Sequence, residues 1–194
     1  MFEFLHRKDE QGAPADSPSY NIPPERAELW EKLRSFVLDE PGAAYPFSAR
    51  LAKRNAYGGW NLGYALRVIE EYRKFLYLLK TAGHWVTPSK SVDEAWHTHL
   101  LYTQSYWIDL CCNIFGEPIH HHPGNGNPDD TEMWEAIYER TLDDYSKVFG
   151  TPPEDIWGKP NPSLDWRTIL EKYKDRRKAT VRFADPTLSL FQKK

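Results

Sequence analysis

The chain has almost no cysteine: two in 194 residues, and these two, Cys111 and Cys112, are neighbours. Adjacent cysteines do not supply the geometry a disulfide needs, so a disulfide framework is excluded and both thiols are read as free. No apolar run approaches the roughly 18 residues of a membrane-spanning helix, and Met1 to Lys8 carry no apolar signal-peptide core. The expectation is a cytoplasmic protein without a membrane partner. Charge of one sign is also missing. With 25 Lys and Arg against 28 Asp and Glu, the net charge of −3 sets up no field that would gather nucleic acid, which is not expected as a partner either. Internal repeats, low-complexity tracts and the two-residue alternation of strands are absent.

What is present is aromatic and helical in period. The 8 Trp, 11 Tyr and 9 Phe recur mostly at helical spacing, which assigns them to a core rather than to a ring-lined binding surface. Residues 1 to 22, which mix Gly, Pro, Ser, Asp and Gln with few apolar positions, are read as a flexible N-terminal tail. Residues 23 to 178 are read as one helical domain and 179 to 194 as a C-terminal tail. Pro23-Pro24 opens a first helix with Leu29, Trp30, Leu33, Phe36 and Val37 on its apolar face, ending before Pro41. Ser48 caps a short helix through Tyr57, and Asn61 caps a long one. On that long helix Leu62, Ala65, Leu66, Ile69, Phe75, Leu76 and Leu79 form the stripe, while Arg67, Glu70, Glu71, Arg73 and Lys74 form the wet side, up to a stop at Gly83.

Ser91 and Glu94 have capping-box spacing, which predicts a motif helix from about Val92 to Gly116. The Pro- and Gly-rich segment 117–128 is a surface loop, Asp129 or Asp130 caps a helix running to Gly150, and a last helix starts near Ser163. The fold class expected is all-α: a single-domain bundle of five or six helices with a histidine-rich loop.

Five of the seven histidines fall in Asp93-Glu94-Ala95-Trp96-His97-Thr98-His99 and His120-His121-His122. At 100° per residue His97 and His99 point about 200° apart, so one metal cannot take both from a regular helix. Asp93, one turn before His97, shares its face and is a co-ligand or a carboxylate that orients the imidazole. In an extended loop His120 and His122 lie on one side and His121 on the other. Asp93, His97, His120 and His122 are therefore the candidate ligands of a divalent metal, zinc or iron, with open positions for water activation or oxygen chemistry. Trp96, His99 and Tyr106 wall the site, and His99 and His121 are the candidate catalytic acid–base groups. Cys111, about 21 Å along a continuous helix from His97, stays out of the ligand set.

Val92-Asp93-x-x-Trp96-His97-x-His99, Tyr106, Gly116 and His120-His121, with Tyr72, Arg73 and Phe75 upstream and Phe149-Gly150 and Trp157 downstream, resemble the glycine-rich-domain-containing-protein-like family in its short bacterial form. The resemblance covers about residues 60 to 160. It implies a mostly helical domain with Asp93, Trp96, His97, His99 and His120 as signature positions, and implies no activity. The sequence thus supports a metal-binding protein, as enzyme or not, acting on a small molecule or a protein. Its rival is a non-catalytic interaction module in which the His, Asp and Trp cluster holds helices together.

Overall fold

The computed structural model describes residues 20–40, 42–54, 59–121 and 130–173. These residues are helical and contain no strand, as the periodicity predicts. A 3-10 turn, Pro24–Arg26, leads into α1 (Ala27–Ser35). Then come α2 (Phe47–Arg54), α3 (Leu62–Thr81), α4 (Lys90–His99), a π-helix (Gln104–Phe115), α5 (Thr131–Phe149), α6 (Glu154–Trp157) and α7 (Trp166–Lys172). Two features raise the count above five or six: the expected motif helix is split into α4 and the π-helix, and Ile156 and Trp157 sit on a one-turn helix of their own.

Helix α3 is the axis of the bundle because it buries apolar side chains along most of its length, four in a row from Phe75 to Leu78. Ala65, Val68, Ile69, Tyr72, Phe75, Leu76, Tyr77 and Leu78 are all buried, and α1, α2, α4 and α5 pack around it. Each fully buried side chain of this size contributes about 1.5–3 kcal/mol of transfer free energy, which is why the longest apolar helix takes the centre. Its start is set as expected: Asn61 Oδ1 accepts from Tyr64 N–H at 2.8 Å. Its stop is Gly83, whose φ of +67° only glycine adopts without strain. The wet side is narrower than the charge pattern predicts. Glu71 is buried and Lys74 nearly so, because Tyr145 and Trp157, distant in sequence, bring hydroxyl and indole donors against the Glu71 carboxylate.

Other boundaries also move for identifiable reasons. The cap of α4 is Ser89, whose Oγ accepts from Val92 N–H at 3.2 Å, so the helix begins at Lys90 rather than Val92. Ser91 instead meets the Tyr64 hydroxyl at 3.0 Å. Ser48 lies inside α2, its N–H held by Asp39 Oδ1 at 2.7 Å. The residue before α5 is Asp130, with no side-chain capping bond, and α7 is capped by Asp165. Tyr20 to Ile22, assigned to a tail in the sequence, pack on the bundle. Tyr20 lies edge-on to Trp30 and Phe149, and Asn21 N–H donates to Val148 O at 2.8 Å. The rest of both expected tails, any part of the expected last helix beyond Tyr173, and His122 and Asp129 lie outside the described residues.

Candidate metal centre

The site is assembled where α4 ends and the chain returns past it. After His99 the α-helical pattern fails: Leu101 N–H turns back to Thr98 O and Tyr102 N–H to His99 O, bonds three residues long. The chain then re-forms as a π-helix, in which bonds run to the fifth residue and a turn takes about 4.4 residues. Its buried residues are Tyr106, Leu110, Cys111 and Phe115. At about 82° per residue these four fall within a quarter-turn, whereas at 100° they would spread across half the circumference. The wider helix thus keeps all four in the core. At its end Gly116 adopts φ +71°, and Glu117 N–H returns to Cys111 O at 3.0 Å, turning residues 117–121 back toward α4.

That return delivers His121 to the Asp93 and His97 face. His121 Nε2 lies 2.8 Å from Asp93 Oδ1, and His97 Nδ1 lies 3.3 Å from Asp93 Oδ2. The two imidazole centroids are 4.4 Å apart. One donor atom from each of Asp93, His97 and His121 falls within 4.8 Å of the others. Tetrahedral donors around an ion bonded at 2.0–2.1 Å sit about 3.3 Å apart, so small side-chain rotations suffice to close the group on a cation. The face is graded in exposure: the His97 and Asp93 side chains are 37% and 33% exposed and that of His121 only 12%, leaving one side open to solvent.

Two of the four sequence candidates, Asp93 and His97, lie in this group. His120 does not join them. It is on the exposed side of the loop, its ring 5.9 Å from that of Trp107, and His121 takes the inward place. The alternation read in the sequence holds between His120 and His121, but the choice of inward face goes the other way. Cys111 is buried in the core and outside the group, even though the helix does break.

Trp96 lies against the group, its ring edge-on to His121 with centroids 4.5 Å apart. Its indole N–H donates to the Tyr106 hydroxyl at 2.9 Å, and that hydroxyl donates to Ile119 O at 2.7 Å. Burial pushes the Tyr106 phenol well above its ordinary pKa, which keeps it a donor. His99, on the opposite face of α4, is enclosed at 0% exposure. Its Nδ1 meets the Tyr72 hydroxyl at 3.0 Å, its Nε2 the Ser105 hydroxyl at 3.0 Å, and the rings of Phe36, Phe47 and Tyr106 surround it. Burial brings its pKa down to about 3, so this imidazole is neutral at physiological pH. Its position ties α4 to α3 and to the start of the π-helix and gives it no contact with the Asp93 group. Lys80 was not singled out in the sequence. Its ammonium donates to Phe115 O at 3.0 Å and pairs with Glu117, clamping the root of the histidine loop to α3.

Fold and site together define an all-helical domain that carries a half-open carboxylate and bis-imidazole group between a helix and a returning loop. The chain belongs to the UCP032817-like family, whose model matches residues 41–137, half of its length and the whole of this group. It is also similar to glycine-rich domain-containing protein 1 of Arabidopsis thaliana, with 26% identity over 88 residues, and this agrees with the resemblance carried by the Trp-His-x-His motif. That match takes in 43% of the chain and 11% of the plant protein, so the chain corresponds to a small part of it. No solved structure matches. Among the described residues, no helix is long and apolar enough to cross a membrane.

Proposed function

We propose that this protein binds one divalent cation, zinc or iron, through Asp93, His97 and His121, and that the ion's remaining positions face solvent for a small-molecule or protein ligand. The observation that carries the reading is the convergence of three ligand atoms within 4.8 Å from two separate chain segments, on a face about one-third exposed. Two imidazoles and one carboxylate suit zinc with an open fourth position or iron with an open face. Bound there, such an ion would supply Lewis acidity or a water of lowered pKa. The chain's own part is clear in outline: Trp96 excludes water from the inner side of His121, and the carboxylate of Asp93 sets both imidazole orientations. His120, exposed beside Trp107 and adjacent to the group, is the residue best placed to meet an incoming ligand.

A second reading is favoured by one contact. The direct 2.8 Å approach of His121 to Asp93 pins the loop to α4 without any ion, as a non-catalytic interaction module would require. Elemental analysis of tag-free protein separates the two, with His97→Ala, His121→Ala and His120→Ala alongside. The metal reading expects about one equivalent of zinc or iron in wild type and His120→Ala, and none in folded His97→Ala or His121→Ala. Metal-free wild type that stays metal-free after incubation with Zn²⁺ or anaerobic Fe²⁺ would refute it and leave the structural reading.

A further inference from the structure

We propose that Tyr106 is a positioning residue for His121, setting the loop so that the imidazole is in place before any ion arrives; this rests on reading Asp93, His97 and His121 as a metal site. The loop has no regular secondary structure between Gly116 and His121, so something else must fix it. Ile119, two residues before His121, is held by its carbonyl, which accepts from the Tyr106 hydroxyl at 2.7 Å.

Tyr106 is itself held, because its hydroxyl accepts from Trp96 Nε1 at 2.9 Å, and the same indole lies edge-on to the His121 ring at 4.5 Å. A closed circuit results: the Trp96 indole fixes the Tyr106 oxygen, the Tyr106 proton fixes the Ile119 carbonyl, and the chain from Ile119 returns the His121 ring to the Trp96 indole. Trp96 and His97 are neighbours on α4, so the circuit locks the loop ligand to the helix ligand through hydrogen bonds that touch neither ring nitrogen. The π-helix makes this possible, since its period is the one that turns Tyr106 inward together with Leu110, Cys111 and Phe115.

Partners that orient a metal ligand without touching the ion are worth about 10–100-fold in metal affinity, and that is the expected loss for Tyr106→Phe. The control is Tyr145→Phe, which removes another buried tyrosine hydroxyl at the Glu71 carboxylate, away from the loop. Competition titration of Zn²⁺ against a chromophoric chelator should show the loss in Tyr106→Phe and less than about a twofold change in Tyr145→Phe. The visible spectrum of Co²⁺-loaded protein should change shape only in the former. In metal-free protein, ¹⁵N-edited NMR of the His121 imidazole should move from one hydrogen-bonded tautomer to an average in Tyr106→Phe alone.

Equal affinities in wild type and Tyr106→Phe, or equal losses in both variants, would overturn the proposal. Wild type that takes up neither Zn²⁺ nor Co²⁺ would overturn the metal reading instead. The metal-free imidazole signals then decide the positioning claim on their own, and unchanged His121 signals in Tyr106→Phe would end it.

Discussion

Replacing Glu71 by glutamine should be among the most damaging single-atom-class changes in the bundle. Glu71 is 5% exposed, and three donors meet its carboxylate: Tyr145 Oη at 2.7 Å and Trp157 Nε1 at 2.8 Å to Oε2, and Lys74 Nζ at 2.8 Å to Oε1. A glutamine of the same shape keeps one acceptor oxygen and turns an NH₂ group toward those donors. Two bonds to a charged acceptor, worth about 1.5–3 kcal/mol each, fall to neutral strength or are lost. Lys74 is left as an unpaired cation whose side chain is 14% exposed, shielded by the rings of Tyr20, Tyr145 and Phe149. Removing one member of a buried ion pair typically costs about 3–5 kcal/mol, and the residual exposure of Lys74 argues for the lower end, about 3 kcal/mol. At about 2–4 °C per kcal/mol for a chain of this length, the melting temperature should fall by roughly 6–12 °C. Urea titration followed by circular dichroism and by tryptophan emission is the assay, run on Glu71→Gln, Lys74→Met and the double variant. The coupling between the two sites should exceed about 1 kcal/mol. A Glu71→Gln cost below about 1 kcal/mol, or single costs that simply add, would refute the reasoning.

Acid sensitivity should centre first on His99. Its folded pKa of about 3 lies below the unfolded value near 6.5, so between those limits the unfolded chain binds a proton that the folded chain excludes. The stability it confers is therefore complete above pH 6.5 and is lost as pH falls, by about 2 kcal/mol at pH 5. His99→Gln, which keeps hydrogen-bonding groups for Tyr72 and Ser105 but does not titrate there, should flatten the slope of unfolding free energy between pH 6.5 and 5; an unchanged slope would assign the effect elsewhere. Saturating Zn²⁺ at about 100 times its dissociation constant should stabilise wild type by about 2.7 kcal/mol in a thermal melt and leave His121→Ala unmoved. Loss of the α3 cap in Asn61→Ala should lower stability by about 1 kcal/mol without altering metal content.

The long elements were legible in the sequence because each carries its own evidence. Asn61, the apolar stripe of α3 and the stop at Gly83 are local signals, and the structure keeps the cap, the stop and the stripe from Ala65 onward, while Leu62 and Leu66 stay exposed at the first turns, where fewer elements cover the helix. The shared face of Asp93 and His97 was legible for the same reason, being one turn of one helix. The break after His99 was not legible, because the residues from Leu100 to Phe115 satisfy an α-helical pattern well enough to hide the better match of Tyr106, Leu110, Cys111 and Phe115 to a wider helix. Nor does parity alone decide whether His120 or His121 turns inward; that depends on the hold of Tyr106 on Ile119, a contact 13 residues apart. Glu71 and Lys74 were misassigned to the wet side because their partners, Tyr145 and Trp157, lie more than 70 residues away.

The fold also has an uneven grain. Helix α5 turns one flank to the main core and holds α7 on the other through a small separate cluster of Met133, Ala136, Ile137 and Leu170. Seven residues are too few to remain helical alone, so α7 exists only while that cluster does. Helix α7 should therefore come away as a unit of low cooperativity, exchanging its amides with solvent while α3, α4 and the Asp93 group stay closed. Asp93, His97 and His121 should thus stay assembled while the α7 edge of α5 opens.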